Sequence, residues 1–374
     1  MGQKLPIGIQ SFEDLRNKNF KYVDKTAVVF KLVSEGKYYF LSRPRRFGKS
    51  LLLNTLESYF LGKRELFKGL AIEKLEHDWT EYPVLHLDLN TQKYDSPQAL
   101  EGILNEHLCR WEKRFDSDVS ENSLGLRFMG VIRRAYEKTG CQVVILVDEY
   151  DKPLLQAIGN VELQDAYRAT LKGFYGALKS MDGCIRFAFL TGVTKFGKVS
   201  VFSDLNNLRD LSMLPQYFDI CGITEDELRK NFKVEVSELA SAQKMTIDEA
   251  YAALRENYDG YHFCEEDLPG VYNPFSLLNA FVNNKIDYYW FETGTPTYLV
   301  ELLKQHQYDL SRIEKEEVDA LALKYIDLSP SNPIPAMYAN GFLTIKGYDK
   351  EFELYLLGFP NKEVKWGFLQ SIKK

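Results

Sequence analysis

The stretch Arg43-Pro44-Arg45-Arg46-Phe47-Gly48-Lys49-Ser50 decides how the rest of this sequence is interpreted. It ends in Gly-Lys-Ser, as does the phosphate-loop pattern G-x-x-x-x-G-K-S, but it has arginine where that pattern begins with glycine. The residues from Tyr38 to Leu41 predict a strand before it, and those from Leu51 to Phe60 predict a helix after it. Because this strand–loop–helix context is the one that the pattern requires, the stretch predicts a loop that binds the phosphates of a nucleoside triphosphate.

Each part of this loop has an expected role. Backbone N–H groups would point at phosphate oxygens, Lys49 would reach the β- and γ-phosphates, and the Ser50 hydroxyl would bind Mg²⁺. Arginine at position 43 is tolerable only if the backbone there needs no positive φ. The alternative is a chance Gly-Lys-Ser at a helix start, with solvated basic residues. The candidate nucleotide-binding residues are Arg45, Arg46, Phe47, Gly48, Lys49, Ser50 and Leu51.

A second motif lies at Val143–Val147, where five apolar residues run directly into Asp148 and Glu149. A buried strand that ends in two carboxylates suits Mg²⁺-assisted hydrolysis. Asp148 would hold the metal, directly or through water, and Glu149 would act as general base toward the attacking water. The alternative is a strand that ends in a solvated acidic turn. Together, and in this order, the two motifs favour nucleotide binding over either alternative.

A third motif is the apolar run Phe187–Leu190, which is followed by Thr191 and Thr194. A hydroxyl group at the end of a buried strand could sense the γ-phosphate or orient water, and Thr194 is the residue to which we assign this role. The alternative is that both threonines are turn residues.

The order of apolar runs predicts an α/β fold with a mainly parallel sheet, the three-layer sandwich of P-loop NTPases. A mostly helical region and a small C-terminal β-containing segment follow. Thr224 begins a segment that resembles a capped helix start. The predicted domains are residues 1–222, 223–325 and 326–374. The strand candidates are Tyr38–Leu41, Val84–Leu89, Val143–Val147, Arg186–Leu190 and Tyr217–Cys221, with a hairpin formed by Gly341–Ile345 and Glu351–Leu357. The helix candidates are Lys49–Phe60, Pro97–Phe115, Leu124–Thr139 and Gln164–Ser180.

Composition limits the classes of function. The 374 residues are 45% hydrophobic and 27% charged, which is an ordinary globular balance. A formal net charge of −6 argues against a protein that coats nucleic acid. Five scattered cysteines without a C-x-x-C pair, no membrane-spanning run and no secretory apolar region predict a cytoplasmic protein without a membrane partner.

Several motifs together resemble the bacterial predicted AAA-ATPase-like proteins of the Bacteroidetes type, and the resemblance covers essentially the whole chain. Arginine at position 43 is normal for that family. The matching segments are Leu5–Phe12, Tyr22–Thr26, Arg43–Ser50, Leu146–Leu154, Leu190–Thr194, Asp204–Leu208, Tyr258–Tyr261 and Tyr272–Ser276.

The resemblance implies a P-loop ATPase core and a helical lid, with ATP and Mg²⁺ as cofactors. Many relatives carry a PD-(D/E)XK-type nuclease domain after a stretch like Tyr355–Phe368, and we expect that domain to be absent here. Glu363-Val364-Lys365, with Asp349 upstream, matches the D…E-x-K nuclease pattern only in a short form that arises by chance. Family knowledge also implies that Glu149 after Asp148 marks ATPases that use a carboxylate base.

The sequence therefore predicts a Mg²⁺-dependent ATPase module that drives or switches an attached or partner effector, with nuclease-linked defence as an analogy. The alternatives are a nucleotide-gated interaction module that hydrolyses ATP negligibly and a DNA-binding motor subunit. DNA is a candidate partner through a missing domain or partner protein, and an oligomer is compatible with the family. Arg209 is a candidate arginine finger, and Tyr22–Thr26 is expected near the base or ribose.

Overall fold

The computed structural model describes residues 3–194, 208–292, 313, 316–324 and 333–373. The chain divides into two compact units. The loop unit comprises Met1–Val23, Ser42–Leu51 and Ser212–Lys374. The sheet unit comprises Asp24–Leu41 and Leu52–Leu211.

A five-stranded sheet forms the centre of the sheet unit, with the strand order β2-β3-β4-β1-β5. The pairs β2–β3, β3–β4 and β1–β5 are parallel. All six residues of β3 are buried, as expected for a strand covered on both faces. Because β4 lies between β1 and β3, the strand before the loop and the strand that ends in Asp148 are not neighbours. The strands are β1 (Tyr38–Ser42), β2 (Val84–Asp88), β3 (Val143–Asp148), β4 (Ile185–Gly192) and β5 (Arg209–Asp210).

Helices alternate with these strands along the chain. Three of them, α4, α5 and α7, pack against one another. Their starts follow local rules: Pro97 opens α4, and the side chains of Ser123 and Asn160 cap α5 and α7. The helices of this part of the chain are α2 (Thr26–Glu35), α3 (Lys49–Phe60), α4 (Pro97–Phe115), α5 (Leu124–Thr139), α6 (Lys152–Gln156) and α7 (Val161–Ser180).

The loop unit is mostly helical after residue 222. Thr224 and Glu227 form a reciprocal capping box at the start of α8, which confirms the predicted helix start. Leu228, Phe232, Leu254 and Phe281 belong to one apolar core beneath these helices. The helices are α1 (Phe12–Asn17), α8 (Glu225–Asn231), α9 (Lys233–Gln243), α10 (Ile247–Tyr258), α11 (Pro274–Asn283), α12 (Tyr289–Glu292), α13 (Ala320–Lys324), α14 (Ile334–Ala339) and α15 (Lys362–Lys373).

Two small antiparallel sheets complete the loop unit. The larger has the order β8-β10-β9, and the smaller pairs β6 with β7. The predicted α/β class, the helical segment and the small C-terminal β structure are thus confirmed. The strands are β6 (Ile223–Thr224), β7 (Val271–Tyr272), β8 (Glu316–Asp319), β9 (Thr344–Asp349) and β10 (Leu354–Gly358).

The predicted strand Tyr217–Cys221 was wrong. Pro215–Tyr217 forms a 3-10 helix instead, and the chain turns at Gly222, where φ is 95°. Proline at the first position of that turn has a fixed φ and no N–H to give to a sheet, which favours the helical turn over a ladder. The edge strand on the other side of β1 from β4 is the short Arg209–Asp210.

Other boundaries moved by a few residues. In the C-terminal hairpin, Gly347–Asp349 lie within β9, so the turn follows them instead of containing them. The predicted domain ranges stay predictions, and the boundary between 325 and 326 lies outside the described residues. The same holds for 204–207 of the family motif Asp204–Leu208.

Candidate functional site

The loop at Arg43–Ser50 has the backbone shape of an anion-binding turn. Arg46 has a φ of 69° and Gly48 a φ of 95°, both in the left-handed region. Alternation of left- and right-handed residues makes successive N–H groups point into one concavity, which binds anions. At Gly48 no atom lies within 4 Å of the position a Cβ would take, so the backbone angle and not the space requires glycine.

The carbonyl groups of this loop are held by donors of the loop unit. The Lys49 ammonium donates to Arg43 O at 3.0 Å and to Pro44 O at 3.3 Å. The Trp290 indole donates to Arg45 O at 3.3 Å, and Gly222 N–H donates to Phe47 O at 3.2 Å. A trans peptide directs its N–H opposite to its C=O. The N–H groups of residues 45, 46 and 48 are therefore directed away from these donors.

Arg43 stabilises the loop from within the protein. Its guanidinium is 2% exposed and lies 4.0 Å from the centre of the Phe263 ring. It donates to Ser42 O at 2.9 Å, Ser212 O at 2.7 Å and Tyr217 O at 3.1 Å. Among the described loop residues, the positive φ values fall on Arg46 and Gly48 and not on Arg43. The backbone at position 43 therefore tolerates arginine in place of glycine.

The remaining side chains of the loop differ in exposure. Phe47 is buried and meets the Tyr261 ring edge-to-face at 4.7 Å. Arg45 is exposed, and the exposed Arg46 places its guanidinium 4.9 Å from the centre of the Phe275 ring. Lys49 is buried. Phe47 and Lys49 therefore face the protein, and Arg45 and Arg46 carry the exposed positive charge.

The carboxylate pair lies in the sheet unit at the end of β3. Asp148 is buried, and its Oδ1 accepts a hydrogen bond from the Thr191 hydroxyl at 2.7 Å. Asp88 is its register partner on β2. Glu149 follows with a φ of 54°, a left-handed conformation that costs a residue with a side chain about 1–2 kcal/mol. Such strain at the end of a buried strand is typical of functional positions.

Asp151 joins the segments that follow β3 and β4, and the sequence analysis missed it. Its fully buried carboxylate accepts hydrogen bonds from Val193 N–H at 2.9 Å, from Thr194 N–H at 2.6 Å and from the Thr194 hydroxyl at 2.9 Å. The glycine at position 192 is the sequence signal that could have indicated this contact. A larger residue is excluded there, because an added Cβ would lie 2.6 Å from Asp151 Oδ1. Thr191 thus contacts Asp148, and the Thr194 hydroxyl contacts Asp151.

The charge around β2 is negative. Burial lowers the pKa of His86, but the hydrogen bond that its Nδ1–H donates to Glu57 Oε2 at 2.8 Å and the charges of Glu57, Asp148 and Asp88 outweigh it, and the net pKa is raised. The carboxylates of Glu57, Asp88 and Asp148 therefore favour positive charge at His86. Among the described residues, no group of three or more His, Cys, Asp or Glu side chains could hold a metal ion by itself. Mg²⁺ commonly uses only one or two carboxylates, with nucleotide phosphates as its other ligands, so Asp148 suits that mode.

The predicted site residues are all described, and they fall in both units. The loop unit contains Lys49, whose ammonium contacts the loop carbonyls, and Ser50, which is partly buried in the first turn of α3. The sheet unit contains Asp148, Glu149 and Thr194. The candidate arginine finger Arg209 lies on β5, and its Nη1 atom is 3.9 Å from Glu35 Oε2. The roles of these residues stay predictions.

The fold and the loop define an α/β protein with a phosphate-loop sequence, and comparison with known proteins identifies the family. The family model described as "Predicted AAA-ATPase" matches residues 6–202. An uncharacterized protein in the vnfD 5' region of Azotobacter chroococcum mcd 1 is 39% identical over 367 residues, which cover 97% of this chain and 68% of that protein. The chain therefore belongs to the predicted AAA-ATPase family.

Solved structures add little to this assignment. The Aeropyrum pernix ORC2 protein, described in its ADPNP–ADP complexes, aligns over 94% of both chains with 10% identity and a TM-score of 0.30. That score is too low to define a shared fold. In the part of the chain that the structure describes, every helix is too short or too polar to cross a membrane.

Proposed function

We propose that this protein binds ATP with Mg²⁺ at the loop Arg43–Ser50 and hydrolyses its γ-phosphate. The observation that carries the proposal is the loop backbone: the carbonyls of Arg43, Pro44, Arg45 and Phe47 are held by donors. Donor N–H groups that are oriented before the ligand arrives need no reorganisation on binding, which is the basis of anion recognition at such loops.

The roles proposed for the side chains follow from their chemistry. Lys49, already held at the loop, would contact the β- and γ-phosphates. Arg45 and Arg46 would add charge at the exposed side of the loop. The Ser50 hydroxyl and the Asp148 carboxylate are the proposed Mg²⁺ ligands, and Thr191 would orient Asp148 through its hydrogen bond. When bound, Mg²⁺ would neutralise charge on the phosphate oxygens.

Hydrolysis would proceed by in-line attack of water on the γ-phosphorus. Glu149 would accept the proton of the attacking water, the bond from the γ-phosphorus to the bridging oxygen would break, and ADP and phosphate would leave. The strained backbone of Glu149 supports this role, because it fixes the direction of a side chain that is only partly buried. Thr194 is proposed to sense the γ-phosphate, and its hydrogen bond to Asp151 would hold it in position.

Nucleotide binding can be tested by the melting temperature. A ligand that binds the native state stabilises it, so ATP with Mg²⁺ should raise the melting temperature of the wild-type chain. Lys49→Ala should abolish this shift, whereas the exposed Lys230→Ala in the same unit should keep it. A Lys49→Ala variant with a full shift would refute the loop assignment.

Hydrolysis needs a separate test. Glu149→Gln should keep the ATP-dependent shift and lose multiple-turnover phosphate release. Full turnover in this variant would exclude Glu149 as the base, and the absence of turnover in the wild type would favour the nucleotide-gated module. Measuring phosphate release with and without double-stranded DNA tests the proposed coupling to a DNA-directed effector.

The free thiols of all five cysteines support the proposed cytoplasmic setting.

A further inference from the structure

Trp290, at the start of α12, joins the phosphate loop to the C-terminal helix. The residue is 7% exposed, and its ring meets Phe342 edge-to-face at 5.1 Å. Its indole N–H donates to Arg45 O at 3.3 Å, while its backbone N–H donates to Glu363 Oε1 at 2.8 Å. One residue therefore contacts a loop carbonyl through its side chain and the first turn of α15 through its backbone.

The contact with Arg45 O has a consequence for phosphate binding. Arg45 O and the N–H of Arg46 belong to the same trans peptide, so fixing the carbonyl fixes the opposite direction of the N–H. Arg46 also has a positive φ of 69°, which is strained for a residue with a side chain, unlike the positive φ of Gly48. Without the indole donor, this peptide plane would be free to rotate toward an orientation that costs Arg46 less strain.

Glu363 is placed to hold Trp290. It is 1% exposed and lies in the first turn of α15, where the positive end of the helix dipole favours a carboxylate. It accepts a hydrogen bond from Trp290 N–H at the beginning of α12. The carboxyl group thereby satisfies a backbone donor at the start of α12, which otherwise has no partner within the helix.

Close packing leaves little room for Trp290 and the loop to move apart. Gly341, between α14 and β9, has a φ of 85°, and an added Cβ would lie 2.7 Å from Pro44 Cβ and 3.6 Å from Trp290 Cζ2. The loop, Trp290 and the C-terminal segment thus meet at one glycine. A displacement of any of these would be felt by the other two, because packed interiors do not deform continuously.

We propose that Trp290 is a positioning residue of the phosphate loop, that Glu363 holds Trp290 in place, and that the start of α15 thereby regulates nucleotide affinity. The inference rests on the proposed nucleotide binding. It gives a role to Glu363, which the sequence matched only to a short nuclease pattern. Linkage makes the effect reciprocal: a partner that displaces the start of α15 weakens ATP binding, and ATP resists that displacement.

The first experiment measures the Kd for ATP with Mg²⁺ by titration calorimetry on the full chain. Trp290→Phe removes the indole donor and keeps most of the ring, so the Kd should rise about 5-fold, the equivalent of one hydrogen bond. Because this interaction is the same in the ground and transition states, the KM should rise with kcat unchanged. Trp366→Phe on α15, where the tryptophan is 48% exposed, is the matched control and should change neither value.

The second experiment tests the connection through Glu363. Glu363→Ala should raise the Kd about as much as Trp290→Phe, and the double variant should lose little more than either single variant, because both changes release the same carbonyl. Additive losses would overturn the connection. Glu363→Gln keeps an oxygen acceptor for Trp290 N–H and should bind ATP nearly as the wild type does.

The outcomes separate this inference from the proposed function. A wild-type chain that binds ATP, with Trp290→Phe and Glu363→Ala that bind it equally well, would overturn only the positioning role. A wild-type chain without ATP binding would overturn both. If Trp290→Phe does not fold, as judged by its melting transition without nucleotide, Glu363→Ala decides: an unchanged Kd refutes the inference, and a raised Kd with an unchanged kcat supports it.

Discussion

The loop Arg43–Ser50 and the turn Asp148–Asp151 fix polar groups in opposite ways. In the loop, Lys49 and donors from elsewhere in the unit bind backbone carbonyls, and the N–H groups of the same peptides point the other way. In the turn, the Thr191 hydroxyl at the end of β4 and N–H groups of the segment after β4 bind the carboxylates themselves. In the proposed site, the attraction for phosphate would therefore come from peptide groups, whereas the attraction for a cation would come from side chains. The two regions should therefore respond differently to substitution.

Asp151→Ala tests the turn Asp148–Asp151, and it should change the free energy of unfolding more than any other substitution considered. The substitution leaves buried N–H and hydroxyl groups of residues 193 and 194 without their acceptor. Breaking such a buried charged network should lower the free energy of unfolding by about 4 kcal/mol. Urea unfolding measures it, with the exposed Asp165→Ala as control. A loss no larger than that of the control would contradict the network.

Arg43→Gly tests the loop half, and it restores the general phosphate-loop pattern. It should nevertheless destabilise the protein by about 3 kcal/mol, because the guanidinium bonds to three carbonyls and its contact with Phe263 are lost. ATP affinity should fall as well. A variant as stable as the wild type, with equal or better ATP binding, would show that Arg43 is a defect and not a support.

The pH dependence of stability sharpens the comparison through Glu363. Burial raises the pKa of this carboxyl from 4.5 to about 7, although the hydrogen bond from Trp290 N–H acts to lower it, and the charge of Asp287 adds to the rise. Between these values the folded protein keeps a proton that the unfolded chain releases, so stability falls as pH rises. From pH 5 to pH 7 the loss should be about 2 kcal/mol.

Glu363→Gln should remove most of that slope, which unfolding at several pH values measures. Burial also raises the pKa of Asp259 in the same unit, so some slope of the same sign should remain. Asp259→Asn is the matched variant, and the double variant should be flattest. An unchanged slope in Glu363→Gln would mean that Glu363 is ionised in the folded protein throughout this range.

Glu149→Asn should give the smallest effect and one of opposite sign. Asparagine tolerates a positive φ better than glutamate does, so the variant should be more stable by about 0.5–1 kcal/mol. It should also lack hydrolysis, because no general base remains. A stability gain with full turnover would separate the strain from the catalysis, and a loss of stability would show that the carboxylate makes a contact worth more than the strain.

Sequence patterns predicted the elements well where local signals are strong. The bounds of α3, α4 and α5 agree with the structure, since each has an apolar stripe and α4 and α5 also have clear starts in Pro97 and Ser123. The strands β1 to β4 of the central sheet follow from long apolar runs, whereas β5 is two charged residues. Tyr217–Cys221 failed because its apolar residues are buried in a proline-started turn, and burial alone does not distinguish a turn from a strand.

The support of the site could not be predicted in the same way. Arg43 was identified as a departure from a pattern, but its carbonyl partners depend on the tertiary fold. Trp290 lies 245 residues from Arg45, and a lone tryptophan in a helical segment carries no local sign of such a contact. Asp151 belongs to a quoted motif, yet its role appears only once β3 and β4 are neighbours.

The long distance between the loop and its donors also has a consequence for biosynthesis. The ribosome makes Arg45 long before it makes Gly222 and Trp290, whose N–H groups hold the loop carbonyls. We therefore expect a nascent chain that ends at residue 211 to contain the strands of the central sheet and to bind ATP poorly. Nucleotide would then stabilise chains whose synthesis has passed residue 290 more than shorter chains, so ATP binding would favour chains in which translation of this region is complete.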